Sequence, residues 1–282
     1  MKYISIVIVN YNSTKLLNYC IKSLKLIDKL FDQLIIIDNE SNDFHLFKYN
    51  NNEKLTLIKN KTNNGFAKAV NQGIIIAKNE FVLLLNPDSI ILDKSIQLIY
   101  REILNNPLIG AIGGKIISKN QKYSATRKPT FLTGLFEFTN LKKLFPNNIF
   151  SYNFWIENNI IQNSTEVTSL CGAFILLRKK LNDKIVLFDE NFFLYLEDLD
   201  FCLNIKKKGY KIVFNPNAII RHLGGGSNNS KYNITLKYWY TSRKYLFSKH
   251  LNKFESIILN IIFTIEEKIL FLYHHLTHTP NE

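Results

Sequence analysis

Residues 81–88, FVLLLNPD, decide the fold class of this chain of 282 residues. Their five consecutive apolar residues predict a strand buried on both faces, as in the parallel sheets of α/β proteins, which helices cover on both sides. Pro87 cannot donate a hydrogen bond to a neighbouring strand, so it ends the run and sets the turn that presents Asp88. Ligands of open α/β sheets bind beyond the carboxyl ends of the strands. Asp88 is therefore a candidate ligand or metal contact, and an ordinary turn-forming residue is the alternative.

On both sides of this strand, apolar runs alternate with helical patterns. We predict further strands at residues 4–9, 34–37, 55–58, 109–117, 168–179 and 211–214. We predict helices over the apolar positions 16–27, which Ser13 or Thr14 caps, over 65–77 and 95–104, and from Glu197 to a stop at Gly209. Strands and helices that alternate over short loops favour right-handed βαβ units. The predicted fold is therefore an α/β fold with a mostly parallel sheet.

Composition limits the classes of function. Hydrophobic residues make up 46% of the chain, so a sizeable core is expected and global disorder is excluded. The formal net charge of +13 indicates an anionic partner, which can be a nucleic acid, a phosphorylated substrate or an acidic membrane surface. The three cysteines lack CxxC spacing and are expected to be core thiols in a reducing cytosol. We predict no signal peptide and no membrane-spanning helix, because the apolar runs are too short.

Two regions depart from the α/β pattern. Residues 118–168 are rich in Lys, Asn, Thr and aromatic residues, and we predict an irregular insert that either covers an acceptor site or is a solvated loop. Residues 231–253 carry six Lys or Arg and no acidic residue, interleaved with aromatic residues. A helical apolar stripe follows at Ile257, Ile258, Ile261, Ile262, Ile265, Ile269 and Leu272. This combination is typical of an anionic membrane surface, and packing on the domain or on a second subunit is the alternative.

Acidic and imidazole side chains stand at the ends of several predicted elements. They are Asp38, Asp88, the cluster of Glu197, Asp198 and Asp200, and His222, which a Gly-rich loop follows. Carboxylates at two neighbouring strand ends can share one nucleotide, one at the base or ribose and one at a metal on the phosphates. A neutral imidazole can complete the coordination of that metal. Each feature alone has a structural explanation, and only their order on an α/β pattern is specific.

Other nucleotide or nucleic-acid folds lack their motifs in this chain. The sequence has no helix-turn-helix, zinc-ligand spacing or RNP-like signature, so a nucleic-acid partner is not predicted. No G-x-G-x-x-G follows the first strand, and no G-x-S-x-G elbow is present.

With these residues in view, the chain resembles the inverting family-2-type glycosyltransferases with a GT-A fold, and within them the rhamnosyltransferase-like branch that builds bacterial surface polysaccharides. The matching motifs span the first 227 residues in the family's order. They are IVIVNYNS (6–13), IIIDNESND (35–43), NNGFAKAVNQG (63–73), LLLNPDS (83–89), GAFILLRK (172–179), FDENFFLYLEDLDFCLNIKKKGY (188–210) and RHLGGGS (221–227). We therefore expect a transferase domain over residues 1–227 and a tail over 228–282.

The resemblance implies the roles of single residues. Donor contacts are expected at Asn10, Asp38, Asn71, Asn86 and Asp88. A Mg²⁺ or Mn²⁺ ion is expected on Asp88 and His222, and Asp198 is expected as the catalytic base, with Asp200 in a supporting role. Asn86 stands where the family's Asp-x-Asp motif has its first aspartate, and this leaves fewer charges on the metal.

The implied reaction moves a sugar, rhamnose as the first candidate, from a dTDP- or UDP-linked donor to a glycan or lipid-linked acceptor. The expected location is the cytoplasm, peripherally on the inner face of the cell membrane. The alternative is a non-catalytic nucleotide-sugar-binding or scaffold protein with the same fold.

Overall fold

The computed structural model describes residues 3–48, 53–118, 123–223 and 232–277. The strands are β1 (Ile4–Asn10), β2 (Phe31–Asp38), β3 (Leu55–Lys59), β4 (Phe81–Leu85), β5 (Ser89–Ile91), β6 (Ile109–Ile117), β7 (Tyr123–Thr126), β8 (Trp155–Glu157), β9 (Thr165–Val167), β10 (Ser169–Leu170), β11 (Phe174–Arg178), β12 (Lys180–Leu181), β13 (Lys184–Ile185) and β14 (Lys211–His222). The helices are α1 (Thr14–Ser23), α2 (Phe66–Ile76), α3 (Ser95–Asn105), α4 (Phe131–Glu137), α5 (Leu141–Leu144), α6 (Ile149–Phe154), α7 (Glu197–Lys207), α8 (Tyr232–His250) and α9 (Lys253–Thr277).

One large sheet organises the molecule, and it confirms the predicted α/β class. Its strand order is β3-β2-β1-β4-β11-β6-β14-β5, with β9 also paired to β14. β1 to β4 run parallel to one another, as do β6 and β14, whereas β5, β9 and β11 are antiparallel to their neighbours. Every residue of β1 and of β4 is buried, as their predominantly apolar runs predict.

Strand register brings the predicted site residues to one edge. In the β1–β2 pair Asn10 lies opposite Asp38, and in the β1–β4 pair Ile8 lies opposite Leu85. The last residues of β1 and β2 and the turn after β4 therefore meet at the same end of the sheet. This is the end at which open α/β sheets bind ligands.

Two strand predictions need correction. The predicted strand over 168–179 is divided into β10 and β11, because residues 171–173 leave the extended pairing. The prediction of a short strand over 211–214 is too brief, since β14 continues to His222 with a register shift between Asn215 and Ile219.

The prediction of an irregular insert over 118–168 is wrong for its described residues. They form three short helices and strands β7, β8 and β9. Thr130 and Asn148, which we took as loop residues, start two of these helices: their side chains accept hydrogen bonds from the amides of Thr133 (3.1 Å) and Ser151 (2.8 Å). Such N-caps and loop residues share the same amino-acid types, so the sequence did not distinguish them.

The tail is packed on the domain by a third core beside the two that flank the sheet. Its buried members come from α4, α6, α7, α8 and α9 and from the loop before α7: Phe138, Phe154, Phe192, Leu199, Leu203, Tyr240, Leu246, Phe247, Leu259 and Phe263. Within the described residues, none of the helices combines the length and the apolar character that crossing a bilayer requires. Cys20 and Cys202 are buried thiols, as expected for core cysteines, whereas Cys171 is only partly buried.

Candidate active site

The carboxylate of Asp38 is oriented by its neighbour on β1. Asn10 is fully buried, and its Nδ2 donates to Asp38 Oδ1 at 3.0 Å and to Ser41 Oγ at 2.9 Å. The amide of Ser41 donates to the other oxygen of Asp38 at 3.3 Å. The structure therefore brings Asn10 and Asp38 together at the predicted edge.

The loop after β2 is tied to the start of α1. Asp43 Oδ2 accepts from the amide of Thr14 at 2.9 Å, and Asp43 Oδ1 accepts from the Thr14 hydroxyl at 2.7 Å. Ser13, one of the two predicted caps, donates its hydroxyl to the carbonyl of Tyr11 instead, at 3.1 Å. A carboxylate thus stabilises the positive end of α1 across the loop, which the local pattern did not indicate.

Asp88 and His222 meet after the turn that ends β4. Because β5 pairs with the end of β14, Ser89 lies opposite His222, and His222 Nε2 is 2.9 Å from Asp88 Oδ1. The Asp88 side chain is 8% exposed and that of His222 is 20% exposed. In the part of the chain that the structure describes, no three His, Cys, Asp or Glu side chains converge as a complete metal site. The predicted Gly-rich loop after His222 lies outside the described residues.

Asp198 is held by the segment that interrupts the predicted long strand. Its Oδ2 accepts from the amide of Gly172 at 2.8 Å, and its Oδ1 accepts from the amide of Leu199 at 2.8 Å. A Cβ atom on Gly172 would lie 3.3 Å from the Cβ of Asp198, so the close approach favours glycine.

The same segment contacts the turn that carries Asp88. The carbonyl of Ala173 accepts from the amide of Asn86 at 3.2 Å and from the hydroxyl of Ser89 at 3.3 Å. Residues 171–173 thus connect Asp198 to the turn after β4. Our sequence reasoning missed Gly172 and Ala173, although the Cys-Gly-Ala interruption of the apolar run was a local signal for them.

Glu197, which is buried, and Asp198, which is half-buried, are adjacent carboxyl groups at the start of α7. Burial raises the pKa of both groups, and with the neighbouring Asp198 it raises the pKa of Glu197 to about 8. Asp198 accepts backbone hydrogen bonds from Gly172 and Leu199, which favour its ionised form. Glu197 Oε2 is buried without a hydrogen-bond partner among the described residues. Burial therefore favours the neutral form of Glu197, and the two backbone hydrogen bonds favour the ionised form of Asp198.

The backbone before this pair is strained. Tyr195 and Leu196 have φ angles of 73° and 65°, in the left-handed region that residues other than glycine rarely adopt. α7 begins at the next residue, Glu197. The two left-handed residues reverse the chain and aim the start of α7 at Gly172.

Asn71 and Asp200 are bound within the protein at other points. Asn71 Nδ2 donates to the carbonyl of Phe188 at 2.9 Å, and its Oδ1 accepts from the amide of Phe188 at 2.8 Å. Its assignment as a donor contact stays a prediction. Asp200 is fully buried, and its carboxylate faces α8.

Comparison with known proteins identifies the family. The model for "Glycosyl transferase family 2" matches residues 5–186. The chain belongs to glycosyl transferase family 2. It is 24% identical over 213 residues to the low-salt glycan biosynthesis hexosyltransferase Agl10 of Haloferax volcanii, covering 74% of this chain and 63% of that protein. It is 26% identical over 121 residues to a poly-beta-1,6-N-acetyl-D-glucosamine synthase of Staphylococcus epidermidis, covering 42% of this chain and 29% of that protein.

Two solved structures show the same architecture as this member of family 2. S. aureus TarS 1-349 in complex with UDP superposes with a TM-score of 0.52 at 16% identity, covering 98% of this chain and 72% of that one. GalNAc-T7 with UDP, GalNAc and Mn²⁺ superposes with a TM-score of 0.61 at 16% identity, covering 99% and 58%. At such low identity the likeness concerns the fold, and it confirms the predicted GT-A architecture.

Proposed function

We propose that this family 2 protein is an inverting glycosyltransferase that moves a hexose, with rhamnose as the first candidate, from a nucleotide-linked donor to a hydroxyl group of a surface-polysaccharide or lipid-linked acceptor. The observation that carries the proposal is the carboxyl group of Asp198, held by the amides of Gly172 and Leu199 beside the turn of Asp88. A relative named as a hexosyltransferase and fold neighbours bound to UDP support a nucleotide-sugar donor.

In this proposal Asp198 is the general base. It takes the proton of the acceptor hydroxyl while that oxygen attacks the anomeric carbon. The bond from the anomeric carbon to the diphosphate breaks on the opposite face and its electron pair leaves with the nucleoside diphosphate, so the sugar inverts. Burial raises the pKa of Glu197 and favours its neutral form, while the backbone hydrogen bonds to Asp198 favour the ionised form that a proton acceptor needs.

The donor would lie across the carboxyl edge of the sheet. Asp38, oriented by Asn10, would contact the base or ribose, and Asn86 and Asn71 are the further proposed contacts. Asp88 and His222 would hold Mg²⁺ or Mn²⁺, because a carboxylate oxygen and an imidazole nitrogen 2.9 Å apart suit a cation that takes its other ligands from phosphate and water. When bound, that cation neutralises charge on the leaving diphosphate.

A cleft beside the insert supports an acceptor-side role for residues 118–168. It has a volume of about 440 Å³, and Tyr123, Arg127, Trp155 and Lys206 contribute to its lining. Lys206 lies on the same helix as Asp198, about 12 Å further along its axis. An acceptor of several sugar units could extend from the base to this cleft.

The test is nucleoside diphosphate release from a panel of dTDP-rhamnose, UDP-glucose, UDP-galactose and UDP-N-acetylglucosamine, with Mg²⁺ or Mn²⁺ and a lipid-linked acceptor. We expect cation-dependent release from one donor. Asp198→Asn should lower kcat by about 10² to 10⁴ with donor affinity retained, and Asp88→Asn should weaken cation dependence. Asp183→Asn, in the exposed turn between β12 and β13, is the matched control. Donor binding without release from any sugar would instead favour the non-catalytic alternative.

We also propose that the outward face of α9 contacts an anionic membrane surface, on the cytoplasmic side. Its aligned side chains are strongly exposed: Phe254 74%, Ile257 48%, Ile261 55%, Ile265 54%, Ile269 61% and Leu272 61%. Lys268 lies among them, whereas Glu266 and Glu267 point inward to Arg243 and Lys244. This face of α9 is apolar, carries one cation and no acidic side chain, and belongs to a chain of net charge +13. These properties favour an anionic lipid surface over a neutral one.

Flotation with vesicles of phosphatidylglycerol and phosphatidylcholine tests this surface. Ile261→Ser with Ile265→Ser should abolish binding to the anionic vesicles. Ile75→Ser with Ile76→Ser, at exposed isoleucines of α2 (52% and 40%), should leave it unchanged. A dimer that the α9 substitutions dissociate, with no vesicle binding, would show a second subunit to be the occupant.

A further inference from the structure

The residues that lead into Asp198 lie along one side of α8. We call residues 189–200 the base segment. It contacts α8 through hydrogen bonds, ion pairs and ring contacts in these pairs: Asp189 with Tyr245 and Lys249, Asn191 with Tyr245, Phe192 with Tyr245, Phe193 with Tyr238, Leu194 with Ser242, Tyr195 with Trp239, and Asp200 with Lys249 and His250. The α8 partners recur every three or four residues, which is the spacing of one helix face.

Lys249 joins the two ends of the base segment. Its Nζ donates to Asp189 Oδ2 at 2.6 Å and to Asp200 Oδ2 at 2.9 Å. Partial burial raises the pKa of Asp189, but the hydrogen bonds from Lys249, Asn191 and Tyr245 outweigh it and lower that pKa to about 2. Asp189 therefore stays ionised at neutral pH, and the Asp189 and Asp200 carboxyl groups both contact one ammonium group.

Asp200 is the deepest of these contacts. It is fully buried, and its Oδ1 lies 2.6 Å from Nε2 of His250, whose side chain is 4% exposed. Asn204 donates to Asp200 Oδ2 at 2.8 Å. A carboxylate in such a place needs every one of these partners, because an unpaired buried charge is strongly unfavourable.

Asp200 and Asp198 belong to the same turn of α7 but face different partners. Two residues along an α-helix turn the side-chain direction by about 200°. Asp198 meets Gly172, whereas Asp200 meets α8. α7 starts directly after the strained Tyr195 and Leu196, so the contacts of Asp200 with α8 act on the same turn of the helix that presents Asp198.

We infer that Lys249 and His250 are positioning residues for glycosyl transfer: α8 fixes the base segment, and thereby the carboxylate of Asp198, against Gly172. The inference rests on the proposed role of Asp198 as the base. It assigns α8 to the catalytic apparatus and leaves only α9 to the proposed membrane contact.

Steady-state kinetics with Lys249→Met and His250→Ala test the inference. A base displaced by about 1 Å can lose about 10²-fold in rate, so we expect kcat to fall at least about tenfold while KM for the donor changes by less than about threefold. His250→Gln keeps an N–H donor at a similar reach and should recover most of kcat. Lys244→Met is the matched control, because Lys244 also forms an ion pair from α8, but with Glu267 of α9.

Amide hydrogen exchange gives a second result that does not depend on turnover. Amides of residues 190–200 should exchange faster in Lys249→Met than in the wild-type protein, and should be unchanged in Lys244→Met. Wild-type kcat and wild-type protection in Lys249→Met would overturn the inference, as would equal losses in both lysine variants, which would indicate a general loss of stability. If the wild-type protein transfers no sugar, the proposed function fails, and the exchange comparison alone decides whether α8 holds the base segment.

Discussion

The two helices of the tail, α8 and α9, look alike in the sequence and are used in opposite ways. Both follow the transferase motifs, and both mix cations with large apolar side chains. In α8 two of the cations are bound within the protein: Arg243 is buried against Glu266, and Lys249 pairs with Asp189 and Asp200. In α9 the large apolar side chains Ile257, Ile261 and Ile265 point to solvent.

This difference shows that a run of charged residues in the sequence does not reveal which groups those charges contact in the folded protein. We predicted one basic, aromatic segment for a membrane surface, and α8 instead matches the alternative of a helix packed on the domain. The acidic pair Glu266 and Glu267, which sits poorly at an acidic bilayer, is ion-paired with α8. Because Glu266 and Glu267 face α8, neither of these acidic side chains lies on the outward side of α9.

The largest effect should separate the two faces of α9. Phe263 is fully buried against Phe247 and the guanidinium of Arg243, so Phe263→Ala should lower the free energy of unfolding by about 3 to 5 kcal/mol. Ile261→Ala, on the 55% exposed outward side, should change it by less than about 0.5 kcal/mol. Urea denaturation of both variants measures the contrast, and equal losses would mean that the faces of α9 are reversed.

A somewhat smaller loss is expected where α8 and α9 are joined by charge. Arg243 is 2% exposed and donates to the carbonyl of Phe138 and to Glu266. Arg243→Met removes the donor to the Phe138 carbonyl and the counter-charge of Glu266, which keeps the hydrogen bond from the amide of Asn140, so we expect a loss of about 3 kcal/mol. Adding Glu266→Gln should restore part of it in the same urea experiment. Additive losses would show that the two side chains do not interact.

Glu197, which lies in the base segment, should make the free energy of unfolding depend on pH. Burial and Asp198 raise the pKa of Glu197 from 4.5 to about 8. The neutral form of Glu197 contributes its full stabilisation below about pH 4.5, the pKa in the unfolded chain. This contribution is lost as the pH rises through about 8, the pKa in the folded protein. The slope of unfolding free energy from this one proton is at most about 1.4 kcal/mol per pH unit. Glu197→Gln should remove the slope between pH 5 and 8, whereas Glu53→Gln, at an exposed glutamate, should keep it.

The smallest effect is expected at the ion pair on the rim of the α8–α9 contact. The side chains of Lys244 and Glu267 are 27% and 20% exposed, so solvent screens their attraction. Lys244→Met should cost less than about 1 kcal/mol in thermal or urea unfolding, and the cost should shrink further in 1 M salt. A loss as large as that of Arg243→Met would place this pair in the core instead.

Much of the transferase fold was predictable because its signals are local. Mostly apolar runs predicted β1, β2, β3, β4 and β6, and helical spacing predicted α1, α2, α3 and α7 with the stop at Gly209. The positions of Asp38 and Asp88 at strand ends, and of Asp198 at a helix start, followed from the same patterns. These features depend only on residues within one helical turn or one strand, and these residues are close together in the sequence.

The tertiary structure alone decided which distant groups meet. The insertion of β11 between β4 and β6 places Gly172 against Asp198, 26 residues away. The fold also brings Lys249 and His250 to Asp200, 49 and 50 residues away. No periodicity links such positions, because their contact depends on the order of strands and on the packing of helices across the whole domain. The sequence by itself therefore determined most strands and helices of the main sheet layer and the chemistry at their ends, and the packing of those elements determined which side chains hold that chemistry in place.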